Sequence, residues 1–292
     1  MQDVIISEAS ANDFTAIVNL LKENNLPVND IAQGKQIFFK ALQNDTLVGC
    51  IGLEIYEKAG LLRSLAISDL HKNSGIGKKL YNVLLNHSLE QNLLQLILLT
   101  TTAKEYFKKF DWVETERSKV PATIQTSSEF AALCPSTATC MQLSLIPIHA
   151  EMMFADGLNC AQSAFYPFAI KQGVNPEHAL KLATGFGAGM VYRGETCGAI
   201  TGSMMSIGLT IGRFDANDYD SKDKTYMLIN ELYKIFKEKH GSILCKELLK
   251  LEGEAPECWQ NAGKKGLFDT HCPKYVKDAA EITEKLLIRE AN

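Results

Sequence analysis

Several familiar signals are missing from this chain, and each absence narrows what it does. No apolar run is long and unbroken enough to cross a bilayer; those near 93–99 and 199–211 are too short or are interrupted by glycine. No membrane partner is therefore expected. The opening residues, MQDVIISEASANDF, hold no basic segment followed by an apolar one, so no secretory leader is expected. Basic charge is not in excess: 30 Lys and Arg face 34 Asp and Glu, a net charge of −4, which argues against general binding to nucleic acid or anionic lipid. Low-complexity tracts, a long Ser/Gly linker and any C-x-x-C pair are also missing. What remains is globular composition, 46% hydrophobic and 22% charged, in a chain read as cytoplasmic. Its 292 residues suit two ordinary domains, each large enough to bury a core.

Cysteine, by contrast, is plentiful. Seven of the eight, all but Cys50, lie after residue 130. In a reducing compartment an even count does not imply a disulfide framework; metal or redox chemistry is the better reading. The two halves also differ in texture. Residues 4–6, 37–42, 46–56, 61–67, 94–99 and 139–145 read as strands, with helices over 12–24, 76–91 and 102–110 between them. After Pro147 the strand signals stop, and helical segments follow over 149–156, 159–172, 176–184, 196–211, 216–239 and 271–289. The expected fold is an α/β mixed sheet over 1–146 and an all-α helical bundle over 147–292.

The loop Lys72-Asn73-Ser74-Gly75-Ile76-Gly77-Lys78 stands between the strand 61–67 and the helix 76–91. Strand, glycine loop and helix in that order aim free backbone N–H groups and a positive helix end at one point, which suits a phosphate. Gly75 and Gly77 let an anion approach where a Cβ would block it. The spacing is neither G-x-G-x-x-G nor a Walker loop. An anionic ligand would then depend on local charge, with Lys72, Lys78 and Lys79 as candidates.

This loop resembles the pyrophosphate loop of the GNAT acetyltransferases, Gln/Arg-x-x-Gly-x-Gly/Ala, with Lys72 in the Gln/Arg place. The segments LVGCIGLEIY (47–56), LLRSLAI (61–67), ILLTTTAKEYFKKFDW (97–112) and VPATIQTSSEFAALCPSTATCM (120–141) resemble the arsenic-resistance branch of that family. The resemblance implies a GNAT-like sheet that binds acetyl-CoA. Main chain of Leu65, Ala66 and Ile67 would face the pantetheine arm, and residues 72–78 would hold the pyrophosphate. Relatives often pair through a sheet edge, so a homodimer is among the expectations.

Glu54, between Leu53 and Ile55, is the candidate general base, since an apolar cleft raises a carboxylate's pKa. The alternative is an outward-facing strand residue. Arg63 would pair with Glu54, bind an acidic acceptor, or form a surface salt bridge. Many GNAT enzymes use a Tyr as general acid. In EYFKKFDW that place falls on Phe107, with Asp111 at the family's Gly, and Tyr106, one residue off, is expected to point elsewhere. A thiolate leaving group needs little help, because thiol pKa values lie near about 8.5. Cys134 and Cys140 are either a thiol pair for a thiophilic species such as trivalent arsenic or, the favoured reading, two packed cysteines.

In the second half, GLNCAQSAF (157–165), GFGAGMVYRGETCGAITG (185–202), KHGSILCKELL (239–249) and HCPKYV (271–276) resemble the C-GCAxxG-C-C family of redox proteins. Where the family name writes Gly-Cys-Ala, this chain has Cys197-Gly198-Ala199. The resemblance places the four family cysteines at Cys160, Cys197, Cys245 and Cys272, with Cys258 extra. Cys197 opens a helix, which would lower its pKa, and Cys160 follows a plausible N-cap, Asn159. Four thiolates would suit an Fe–S cluster or other soft metal, or two dithiol–disulfide pairs; scattered buried cysteines remain the third reading. His271 is a weaker ligand candidate, and His240 reads as a helix-end charge.

The expected whole is an acetyl-CoA-dependent N-acetyltransferase acting on a small-molecule amine, fused to a thiol redox or metal module, in arsenic or thiol-stress detoxification. The competing expectation is a non-catalytic acyl-CoA-binding sensor, or a thiol protein that binds metal or arsenic.

Overall fold

Short polar turns at Asn44-Asp45 and Glu57-Lys58 fold three successive β-rich runs back on one another. Asn44, Asp45 and Glu57 all adopt positive φ there, as tight hairpins require. A computed structural model describes residues 3–31, 36–252 and 257–291. Its contacts divide the chain into two units, residues 1–145 and 146–292.

In the first unit, β1 (Ile5–Glu8), β2 (Ile37–Gln43), β3 (Thr46–Tyr56) and β4 (Ala59–Ile67) form an antiparallel run. Then β5 (Gln95–Thr100) lies parallel to β4, and β7 (Thr139–Ser144) and β6 (Val113–Glu114) complete a mixed seven-stranded sheet in the order 1-2-3-4-5-7-6. A parallel neighbour needs a crossover, and α2 (Ile76–Glu90) supplies it. Its Leu80, Tyr81 and Leu84 are buried, and Tyr81 Oη accepts a 3.0 Å hydrogen bond from Trp112 Nε1. A second core is formed by α1 (Phe14–Glu23), whose Ile17, Leu20 and Leu21 pack on Phe38, Cys50 and Ala66.

The sheet is the one expected; the differences are local. α3 (Lys104–Lys108) is shorter than 102–110, because Thr100 Oγ1 draws the Ala103 N–H into a turn at 2.8 Å. β6 has two residues, too few to show alternation. α4 (Ala122–Gln125) and a π-helix at Glu129–Leu133 interrupt the stretch before β7.

The second unit is helical. α5 (Ile146–Ala155), α6 (Cys160–Lys171), α9 (Gly198–Ile211) and α13 (Leu267–Ala291) pack against one another, and α10 (Tyr219–His240) lies on α9 and α13. α7 (Pro176–Ala183) starts as expected, with Asn175 Oδ1 accepting the His178 N–H at 3.1 Å. α8 (Gly187–Tyr192), α11 (Cys245–Leu248) and α12 (Glu257–Lys264) were not foreseen. Among the described residues no helix is long and apolar enough to cross a membrane.

Gly202 sets the approach of α9 to α6: a Cβ there would stand 2.5 Å from the Ala161 carbonyl oxygen and 2.9 Å from Ala164 Cβ. The obstacle is backbone, so Gly202→Ala must push the helices apart. It is expected to cost about 1–3 kcal/mol in urea unfolding, and an unchanged midpoint would show that this contact does not hold α9 in place.

Candidate functional site

β4 does not remain regular. Cys50 pairs with Ala66 and Gly52 with Arg63, so Ile51 faces both Ser64 and Leu65 across a bulge, with Ser64 at φ 56°. Pairing between β4 and β5 ends at Leu61 and Ile97, whereas β5 continues along β7 to Thr100. The edge of β4 carrying Leu65, Ala66 and Ile67 is thereby freed from its neighbour.

The loop 72–78 leads from that free edge into α2. Asn73 and Gly75 have positive φ, and Gly75 is the N-cap, so no side chain caps the helix and its first N–H groups are left for a ligand. Ile76 is buried and offers only its backbone. Ser74 Oγ is turned to the His71 carbonyl at 2.5 Å. Lys72 pairs with Asp69 at 2.6 Å, and Lys78 and Lys79 are exposed.

Tyr106 departs from expectation. A Cβ on Gly77 would lie 3.3 Å from Tyr106 Oη and 3.9 Å from Ile67 Cγ1, so the hydroxyl stands where the strand end meets the helix start. That hydroxyl is buried without a hydrogen-bond partner among the described residues, and burial pushes its pKa up. Phe107 is instead core, packed edge-on to Tyr81 and Trp112. An orphaned donor, an uncapped helix start and a free strand edge together fit a ligand with a pyrophosphate and a thioester.

Next to the bulge lies Arg63, fully buried rather than at the surface. Its Nη1 donates to Glu54 Oε1 and to Asp30 Oδ2, both at 2.5 Å, and its Nη2 donates to Asp30 Oδ1 at 2.7 Å. Glu129 Oε1 stands 3.2 Å from Nε. Three carboxylates thus share one guanidinium. Burial disfavours the Arg63 charge, but the carboxylates more than offset it and push its pKa up.

Glu54 is buried, not outward-facing, and it also accepts from Tyr56 Oη at 2.5 Å and Gln36 Nε2 at 3.2 Å. Its lone pairs are largely taken. Burial raises the pKa of Glu129 to about 7, against the pull of Arg63 and with the push of Glu54 and Asp30. Neither Asp30 nor Glu129 was anticipated. Asp30 lies in a loop and Glu129 opens a π-helix, and neither setting has a sequence periodicity. Cys134 ends that π-helix, half-buried, and burial and Glu129 push its thiol up to about 11. Cys140 belongs to the core around Ile97.

In the second unit Cys160, Cys197, Cys245 and Cys272 all line one cavity of about 380 Å³, with Tyr192 and Trp259 among its aromatic walls. Asn159 caps α6, its Oδ1 accepting from the Ala161 and Gln162 N–H groups at 3.0 Å, and so places Cys160 at the helix start. Cys197 is the N-cap of α9, and Cys245 opens α11. The last two are laced together: Cys197 N–H donates to Ile243 O at 2.8 Å and Cys245 N–H to Glu195 O at 2.7 Å.

The thiols are not acidic, contrary to the helix-start argument. Burial pushes Cys160 up against donation from the Ala188, Gly198 and Ala161 N–H groups; it pushes Cys197 far up and Cys272 up to about 12. A helix end cannot offset that loss of water. Cys258 is buried nearby but does not line the cavity. His271 is exposed and turned to Thr270; His240, in the last turn of α10, lies 3.0 Å from Asp278, and burial lowers its pKa.

The cavity wall at α8 is unusual. Ala188, Gly189, Met190, Val191 and Tyr192 have φ of 51°, 60°, 61°, 54° and 66°, a left-handed turn with four side-chain-bearing residues. Each costs about 1–2 kcal/mol over the right-handed form. Such strain persists where surrounding structure enforces it, often at functional sites.

Residues 6–126 match the family model "Acetyltransferase (GNAT) domain", and residues 158–286 match "Putative redox-active protein (C_GCAxxG_C_C)". The first unit is thus similar to GNAT acetyltransferase domains, and the second to C_GCAxxG_C_C domains. Similar solved structures include N-acetylglutamate synthase from Neisseria gonorrhoeae, bound to coenzyme A and N-acetyl-glutamate, at 18% identity and TM-score 0.43, covering 50% of this chain and 36% of that one. A GNAT acetyltransferase from Staphylococcus aureus Mu50 gives 18% and 0.41, covering 49% and 99%. The ribosomal-protein-S18-alanine N-acetyltransferase of Escherichia coli gives 14% and 0.39, covering 49% and 94%. The chain spans about a third of the synthase length, 36% and 34% in two complexes.

Removing the shared guanidinium would leave three carboxylates facing one another. Arg63→Met is expected to cost about 3–5 kcal/mol at neutral pH, a loss that shrinks in acid as the carboxylates take up protons. Glu129 adds its own pH dependence. Because its folded pKa is raised from 4.5 to about 7, its contribution is complete below about 4.5 and is lost as pH rises through about 7. Urea midpoints across that window should fall in the parent and flatten in Glu129→Gln; parallel curves would remove Glu129 from the account.

Proposed function

We propose that the first unit transfers an acetyl group from acetyl-CoA to a small-molecule amine. The observation that carries this is the departure of β4 from β5 after Leu61, with Ile67 of the freed end beside Gly77 in the uncapped first turn of α2. The free β4 edge at Leu65, Ala66 and Ile67 would receive the pantetheine arm and polarise the thioester oxygen. Backbone N–H groups of residues 72–78, with the charge of Lys72, Lys78 and Lys79, would hold the pyrophosphate.

The base role expected of Glu54 passes to Glu129. Glu54 would fix Arg63, and Glu129, poised near neutrality, would take the proton released by the attacking amine. Tyr106 Oη would return a proton to the departing thiolate. Carboxylates outnumber the guanidinium on this side, so the acceptor we favour is a cationic amine. The second unit would act as a thiol module, by redox cycling or by holding an Fe–S cluster or other soft metal, in a cytoplasmic protein that answers arsenic or thiol stress. Pairing of two chains through a sheet edge is part of the same reading.

Calorimetric titration with acetyl-CoA, run beside a free-thiol release assay over a panel of amines, tests the first half. Tight binding with turnover on cationic amines is expected; binding without turnover on any amine would leave an acyl-CoA sensor. The value of kcat/KM should rise with pH through about 7, the pKa of Glu129. Glu129→Gln should abolish that limb and lower the rate by about 10²–10⁴. Tyr106→Phe should cost less, because a thiolate leaves readily, and should spare the KM for acetyl-CoA.

A further inference from the structure

Four segments far apart in sequence bring Cys160, Cys197, Cys245 and Cys272 to the walls of one cavity. All six pairings among the four thiols are close enough to interact electrostatically. Yet among the described residues no three Cys, His, Asp or Glu side chains stand close enough to hold one ion. A single zinc ion needs about four donors around one point, and trivalent arsenic likewise needs its sulfurs gathered on one atom. The cavity, at about 380 Å³, has room for a ligand several atoms across that meets the sulfurs separately.

Charge narrows the class. Among the described residues that line the cavity there is no Lys, Arg or His; Asp269 is the one ionisable residue besides the cysteines and tyrosines. Disulfide exchange requires a thiolate, and no cationic side chain lines the walls to pair with one. A ligand that brings its own positive charge would do so. The Cys160 sulfur also receives N–H groups from Ala188, Gly198 and Ala161, which come from the left-handed turn and two helix starts. Hydrogen bonds of this kind stabilise and tune metal-bound sulfur. Gly198 is required there, since a Cβ on it would overlap the Cys160 sulfur.

We propose that this cavity seats a [4Fe–4S] cluster, with Cys160, Cys197, Cys245 and Cys272 each binding one iron. The proposal rests on reading the second unit as a working thiol module and names its ligand. Assembly balances without an external oxidant: two ferrous ions, two ferric ions, four sulfides and four thiols give a cluster of charge −2 and release four protons. Each thiol loses its proton to solvent and forms one sulfur–iron bond.

The test uses the full chain, supplied anaerobically with ferrous iron, ferric iron and sulfide in that proportion. About four iron and four sulfide per chain are expected, with a broad visible charge-transfer band. Alkylation followed by mass spectrometry should find the four cavity cysteines protected together in the loaded protein and Cys134 modified in both states. Cys197→Ser and Cys272→Ser should lose most of the iron, and Cys258→Ser should keep it. The protection pattern decides the matter even if a serine variant fails to fold. Pairwise disulfides without bound iron, or one zinc ion bound without sulfide, would overturn the cluster while leaving a thiol module. Cysteines that resist alkylation in metal-free protein and take up no iron would overturn both readings.

Discussion

A backbone amide that leaves its regular ladder must find another partner, and both units are organised around places where that happens. In the first, the bulge at Ser64 and Leu65 ends the β4–β5 pairing, and Gly75 gives α2 a start with no side-chain cap. In the second, the left-handed turn and the starts of α6 and α9 direct N–H groups at the Cys160 sulfur. The rest of each core serves to hold these irregular segments still. The buried stripe of α2 fixes its first turn against the sheet, and the close contact of α9 with α6 at Gly202 fixes two helix starts side by side.

Buried charge is handled in opposite ways in the two units. Around Arg63 a cation is already present, and the three carboxylates divide its donors: Asp30 takes a bidentate pair, Glu54 shares Nη1, and Glu129 is left with the longer 3.2 Å approach at Nε. Burial, against the pull of Arg63, holds Glu129 well above the usual carboxylate range. Around the four cysteines no cation is present among the described lining residues, and the thiols stay protonated. One site carries its own cation, still outnumbered by carboxylates; the other has none among its described lining residues.

How much of this was legible in the sequence follows from the range of each interaction. The bounds of β3 were legible because a largely apolar run lies between two polar turns. The loop 72–78 could be picked out because glycines between a strand and a helix are a local signal, and Gly75 is indeed the N-cap of α2. The four cysteines could be named from family resemblance, but their convergence on one cavity depends on contacts between residues separated by dozens of positions. Glu129 and Asp30 were invisible for the same reason: their importance is created by Arg63, which reaches them only in the folded sheet. The expectation for Tyr106 failed on a smaller scale. Alignment by motif placed Phe107 at the site, but α3 is one short turn, and its rotation puts Tyr106 toward Gly77 and Phe107 into the core.

The turn at 188–192 shows what the fold spends on its thiol cavity. Four side-chain-bearing residues in left-handed geometry cost about 4–8 kcal/mol, comparable with the net stability of a domain, about 5–15 kcal/mol. The surrounding structure leaves the chain little alternative. Gly189 lies so close to Cys245 that a Cβ would sit 2.6 Å from that residue's own, and its carbonyl accepts the Glu195 N–H at 3.0 Å. Glu195 in turn accepts from Cys245, and Thr196 bridges Leu244. Tyr192 is anchored edge-on to Trp259 at 5.2 Å. Relaxing the turn to a right-handed helix would withdraw the Ala188 N–H from the Cys160 sulfur and uncouple Cys197 from Cys245. The strain is therefore tied to the arrangement of the thiols.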